Sequence, residues 1–226
     1  MYFSICRIQA FHSQEYMEHL NSNTFVFVFP DIDKRSLQKP YPTLAQYITD
    51  AGAEVFFIDI QWDKHKSLAT CSFEATKKVQ ELINEFNPPQ TYVVGVGVGA
   101  MIAAHIGFMF RANKMLLCSM KPFFQNELPL IPWGWRYYAK RKVYPGAPKP
   151  NYPANRIEVP TIFIQGEKEK RYLNEKLMTL RQETFANSEL VIVPKSNAKL
   201  KRKAYLEAFE SALLKMLDAE KTTPST

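Results

Sequence analysis

Six apolar runs constrain this chain more than anything else in it. They are TFVFVFP (24–30), AEVFFIDI (53–60), TYVVGV (91–96), KMLLCSM (114–120), VPTIFIQG (159–166) and ELVIVP (189–194). Each is rich in β-branched or aliphatic residues and apolar throughout, the pattern of strands covered on both faces. Between them lie segments with helical spacing. PTLAQYITDAG (42–52) carries Leu44, Tyr47 and Ile48 on one face, with Gly52 as a stop. SFEATKKVQELINEF (72–86) carries Ala75, Val79, Leu82, Ile83 and Phe86, with Ser72 placed as an N-cap. GAMIAAHIGFMF (99–110) is apolar nearly all round and reads as buried, while 175–185 and 203–220 complete the set.

Strand–helix alternation of this kind predicts βαβ units: an α/β three-layer αβα sandwich on a mostly parallel sheet. At 226 residues the chain suits a single domain, 1–226, with enough apolar content (46%) for a full core. YFSICRIQAF, near the start, could add an antiparallel edge strand. Residues 121–156 break the rhythm with seven prolines and two tryptophans, so an irregular insertion is expected there. The tail, about 219–226, reads as frayed.

Cys6, Cys71 and Cys118 are odd in number and far apart, and they show no metal spacing. Free thiols in a reducing compartment fit better than disulfides, and Cys118 reads as strand packing. The first residues lack the features of a signal peptide, and no apolar run reaches the roughly 20 residues that span a bilayer. The expectation is a cytoplasmic protein. The net charge of +7 is unevenly placed: residues 134–205 hold 16 Lys/Arg against 6 Asp/Glu, whereas 1–133 hold 11 against 12. Such a field suits acidic proteins or an anionic membrane surface, or is simply a solvated face. No nucleic-acid module signature accompanies it, which argues against nucleic acid.

The third run continues into YVVGVGVGAM (92–101). Gly95-x-Gly97-x-x-Ala100 fits the relaxed dinucleotide fingerprint, but that motif belongs after a first strand, with an acid ending the next one. Here the next run ends LLCSMKPF. The phosphate-loop pattern is absent too, so neither a cofactor nor a metal is expected.

In order and spacing, residues 24–217 resemble the α/β-hydrolase family. FVFPDID matches the strand leading to the oxyanion loop, and YVVGVGVGA the nucleophile elbow. VPTIFIQGEKEK is similar to the acid-bearing strand and turn, LVIVPKSNAK to the histidine loop, and 121–156 to a lid. The resemblance places the nucleophile at Gly97, between Gly95 and Gly99. It places the acid at Glu169 and the histidine at Asn197 or Ala198. Gly97 has no nucleophilic atom, and neither Asn197 nor Ala198 can act as an imidazole does. Asp31, in the oxyanion loop, would repel a developing oxyanion. Of the four histidines, His12, His19, His65 and His105, none follows the last strand. Ser119, Cys118 and Ser196 are alternative nucleophiles without a neighbouring base.

The chain therefore reads as a triad-less hydrolase-like protein serving as a protein-interaction or scaffold component. The alternatives are a divergent esterase or thioesterase, and a small-molecule binder using the pocket over the glycines. The interaction candidates are Trp133, Trp135, Arg136, Tyr137, Tyr138, Lys140, Arg141 and Lys142, residue types that dominate interface hot spots, or a lid packed over the pocket. A basic group of Lys199, Lys201, Arg202 and Lys203 joins them.

Overall fold

A computed structural model describes residues 23–31, 37–38, 40–60, 68–121, 157–169, 171–197 and 202–218. Among the described residues, six strands form one sheet: β1 (Thr24–Phe29), β2 (Glu54–Phe57), β3 (Gln90–Val96), β4 (Lys114–Cys118), β5 (Thr161–Gly166) and β6 (Ser188–Val193). Their order is β2-β1-β3-β4-β5-β6, and every pairing is parallel. The connecting helices are α1 (Tyr41–Asp50), α2 (Leu68–Phe86), α3 (Gly99–Met109), α4 (Arg171–Thr184) and α5 (Lys203–Asp218).

Strand side chains alternate between the two faces, and each face has its own core. On one, Phe25, Phe27, Val93 and Leu117 pack with α2 (Cys71, Ala75, Val79, Leu82), α3 (Ala103, Ile106) and α4 (Leu177, Leu180). On the other, Val26, Val28, Val94 and Leu116 pack with α1 (Leu44, Ile48) and α5 (Phe209, Leu213, Met216). This is the three-layer arrangement the apolar runs demanded. Cys71 and Cys118 are buried free thiols, as packing residues should be. Among the described residues, no helix is long and apolar enough to cross a membrane.

Element boundaries differ from the sequence reading in places. Helix α2 starts at Leu68, so Ser72 is not an N-cap: it lies inside the helix, and its carbonyl accepts a hydrogen bond from Thr76 Oγ1 (2.8 Å). Cys71, fully buried one turn before Ala75, extends the apolar stripe backwards and carries the helix with it. Helix α4 likewise begins at Arg171 rather than 175, which brings Leu173 into line with Leu177 and Leu180. β4 stops at Cys118 because Ser119 turns into the left-handed region (φ 46°). The possible N-terminal edge strand, the tail and most of 121–156 lie outside the described residues.

Candidate functional site

The strand order reverses between β1 and β3: from β1 the chain crosses to β2 on one side, then to β3 on the other. In open α/β sheets, ligands bind outside the carboxyl ends of strands at such a switch point. Register places Phe29 beside Gly95, and Val96 beside Cys118. The residues just beyond these ends are Asp31, Gly97 and the Ser119–Lys121 stretch.

Close approach dictates the three glycines of the corner. A Cβ at Gly95 would overlap Ala100 Cα and Ala103 Cβ, and one at Gly99 would overlap the carbonyls of Phe29 and Pro30. Gly97 adopts φ 59°, which glycine tolerates best. A Cβ there would overlap the carboxylate of Asp31. The strand–helix turn therefore has the elbow shape, with an aspartate where a nucleophile's side chain would begin.

Asp31 is held from several sides. Its Oδ1 accepts the backbone N–H of Val98 (2.9 Å), at the positive end of α3. Its Oδ2 pairs with Lys121 Nζ (2.7 Å), and both side chains are mostly buried, at 24% and 11% exposed. Its own N–H donates to Tyr41 Oη (2.7 Å), and burial pushes that phenol's pKa well up. Lys121 is anchored in turn, its N–H donating to the Gly97 carbonyl (3.3 Å). Val98 follows the nucleophile position, and its N–H is the donor that an elbow offers to an oxyanion. In this chain an internal carboxylate already takes it. The sequence reading expected Asp31 near the pocket; the structure adds that it fills the place above Gly97.

Glu169 is buried beside this corner. Its Oε1 meets Ser119 Oγ (2.7 Å) and the Gly166 N–H (3.0 Å), while its Oε2 is buried with no hydrogen-bond partner among the described residues. Ser119 Oγ also meets Tyr205 Oη (2.6 Å), and Tyr205 donates to the Ile164 carbonyl (3.0 Å). Burial raises the Glu169 pKa, opposed by the Ser119 and Gly166 hydrogen bonds and by the Lys121 charge. Burial likewise raises the Tyr205 and Cys118 pKa values. Ser119 is 1% exposed and locked between an acid and a phenol, so it is not poised to attack a substrate.

Asn197 packs against Gly166, since a Cβ there would crowd Asn197 Cα. Its loop is tied to the acid turn by Lys168 N–H to the Ser196 carbonyl (2.6 Å). Gly97 thus lies beyond β3, Glu169 beyond β5 and Asn197 beyond β6, and no hydrogen bond joins Asn197 to Glu169. His105, on α3, is partly buried, and burial lowers its pKa. Arg202 and Lys203 are exposed at the start of α5. Trp133, Trp135, Arg136, Tyr137, Tyr138, Lys140, Arg141, Lys142, Ala198, Lys199 and Lys201 lie outside the described residues. An open groove runs past Glu167, Glu169, Asn174 and Met178, and Gly97 is not among its walls. No group of His, Cys, Asp and Glu among the described residues is disposed to hold a metal.

Lys121 and Tyr205 were missed from sequence. A lysine directly following an apolar strand was the available signal for the first. The second is one of two aromatics, with Phe209, on an amphipathic helix.

No family model and no curated protein matches the chain. Solved structures do. Est1E from Butyrivibrio proteoclasticus superposes with a TM-score of 0.69 at 12% identity, covering 87% of this chain and 89% of its own. Pyrococcus furiosus esterase Pf2001 gives 0.66 at 14%, covering 88% and 82%. Mouse alpha/beta hydrolase domain-containing protein 10 gives 0.63 at 10%, covering 87% and 90%. At these identities the likeness concerns the fold, and the chain has the α/β-hydrolase fold.

Proposed function

We propose that this chain is a non-catalytic α/β-hydrolase-fold protein acting as an interaction component of a larger assembly. One observation carries the first half: the Asp31 carboxylate accepts the Val98 N–H above a glycine that has no nucleophile. Acyl transfer needs a nucleophile, a base and free oxyanion donors together. At the matching positions stand Gly97, Asn197 and a donor already bound to an anion. Glu169, at the acid position, meets no histidine among the described residues and instead accepts a hydrogen bond from Ser119.

The interaction half rests on composition. Residues 121–156 concentrate tryptophan, tyrosine and arginine, and the chain's excess positive charge lies in 134–205. An acidic protein surface is the complementary partner, and exposed Arg202 and Lys203 extend the basic face. The small-molecule reading is less well supported, because the space over Gly97 holds Asp31.

The test is charge reversal in AKRK (139–142) and in KLKRK (199–203), followed by purification of the tagged protein from its own cells. Loss of stoichiometric partners with unchanged circular dichroism is expected. Association unaffected by both reversals would return those residues to a solvated face.

A further inference from the structure

The groove beside Glu169 is walled by the turn after β5 and the first half of α4, and its volume of about 590 Å³ is on the scale of small-molecule sites. Its walls carry three carboxylates, Glu167, Glu169 and Glu175, against one guanidinium, Arg171. These are three of the six acids in 134–205, the stretch that otherwise holds the excess positive charge. Two of the three are partly engaged. Glu175 Oε1 accepts from Arg171 Nε (2.8 Å), and Glu167 Oε2 accepts the Lys195 N–H (2.6 Å).

Glu169 differs from both because it is buried, at 8% exposed. Its Oε1 accepts from Ser119 Oγ (2.7 Å) and from the Gly166 N–H (3.0 Å), while its Oε2 is buried with no hydrogen-bond partner among the described residues. Both donations favour the ionised form, and burial opposes it. A buried carboxylate with one oxygen unserved is destabilising unless a cationic donor reaches it. Asn174, another wall, accepts on Oδ1 from Gln165 Nε2 (2.9 Å), and Gln165 Oε1 behind it is a second buried acceptor without such a partner. Both orphaned atoms are acceptors, so the missing group is a donor.

The contacts also select among cations. A guanidinium pairs best with both oxygens of a carboxylate, and Oε1 is already occupied. An ammonium is a point charge that needs only one. Along the groove Met178 is half-buried, and the Thr179 hydroxyl is turned onto the Glu175 carbonyl (3.2 Å), which leaves apolar surface for a short stem. We infer that this groove binds a primary ammonium on a short alkyl stem, with the ammonium at Glu169 and the stem along Met178. The group comes from a free alkylamine or from a lysine side chain in a peptide. Gly97 is not among the walls, so the site is separate from the corner and does not rest on the non-catalytic reading.

The experiment follows the Gly166 and Glu169 backbone amides and the Asn174 side-chain amide by heteronuclear NMR while n-butylammonium chloride is added at constant ionic strength. The expected result is a set of shifts that saturate together, with a dissociation constant on the order of millimolar. Tetramethylammonium, a cation without an N–H, and n-butanol, a stem without a charge, should give small shifts that do not saturate. Glu169→Gln should weaken n-butylammonium binding by about tenfold or more. Shifts that do not saturate, an equal response to tetramethylammonium, or an unchanged affinity in Glu169→Gln would overturn the site. Should Glu169→Gln fail to fold, the comparison of the two cations on the wild type still decides. Nα-acetyl-lysine methylamide separates the sources: binding tighter than that of n-butylammonium upholds a lysine pocket, and weaker binding upholds a site for free alkylamines.

Discussion

The Asp31 carboxylate occupies the space in which a side chain at Gly97 would begin. The glycine and the aspartate are mutually required: a residue with a Cβ at 97 displaces the acid, and the acid in place leaves room only for glycine. Gly97→Ala should therefore lose about 2–4 kcal/mol, from crowding plus the left-handed φ. Asp31→Ala in the same chain should recover the crowding part and leave the φ cost. A double-mutant cycle by urea unfolding checks this: the coupling should be about 1–3 kcal/mol, and additive losses would contradict it.

Gly95 differs because nothing near it can move out of the way. Its missing Cβ faces the α3 backbone at Ala100 and the Cβ of Ala103. Gly95→Ala should cost about 3 kcal/mol or more. Gly52 is the control: it has φ 83° but open space around the added Cβ. Gly52→Ala should cost only about 1 kcal/mol, all of it backbone strain. Equal losses at the two sites would mean that steric closeness at the corner is not what selects glycine there.

Removing Lys121 takes from Asp31 the ammonium that pairs with its Oδ2 at 2.7 Å in a mostly buried setting. Lys121→Met should cost about 2–3 kcal/mol, below the range for full burial because a quarter of the Asp31 side chain meets solvent. Lys121→Met with Asp31→Asn should recover most of that loss, since the amide oxygen can still accept the Val98 N–H. Thermal unfolding of the three proteins distinguishes the outcomes, and a double variant no more stable than Lys121→Met would contradict the pairing.

Tyr205→Phe deletes the hydroxyl that joins Ser119 to the Ile164 carbonyl and leaves buried acceptors short of a donor. A loss of about 1–3 kcal/mol is expected, read from the urea midpoint at unchanged slope. A neutral effect would remove the chain from the account of how α5 docks.

Stability should also depend on pH through Glu169. Its pKa is raised in the folded state, chiefly by burial, so the folded protein binds this proton more tightly than the unfolded chain. The contribution is complete below the unfolded value near 4.5 and is lost as pH rises through the folded value. Glu169→Gln should flatten that decline. His105 acts in the opposite sense: its lowered pKa makes stability fall as pH drops below about 6.5. Urea midpoints across pH for wild type, Glu169→Gln and His105→Gln separate the two slopes.

Much of this architecture could be read along the chain because it is local in origin. Runs such as TFVFVFP declare buried strands, and the stripe Ala75–Val79–Leu82 declares a helix face. The glycine spacing at 95, 97 and 99 declared the elbow, since a strand and a helix meeting that closely exclude side chains. Ser72 misled because a favourable capping residue was weighed without the burial of Cys71 just before it. Asp31 was placed near the corner, but the lysine that pairs with it, Lys121, comes 90 residues later in the chain. The Ser119–Tyr205 contact spans 86 residues, and Ser119 turns inward only because its φ is positive. No local periodicity records such meetings.

The most direct measurement is hydrolysis of p-nitrophenyl butyrate by wild type, Asp31→Ala and Ser119→Ala. The proposed non-catalytic reading, with Asp31 over Gly97 and Asn197 at the histidine position, predicts rates at the buffer background for all three. Saturable turnover by the wild type that falls in either variant would contradict the account and make this fold an enzyme after all.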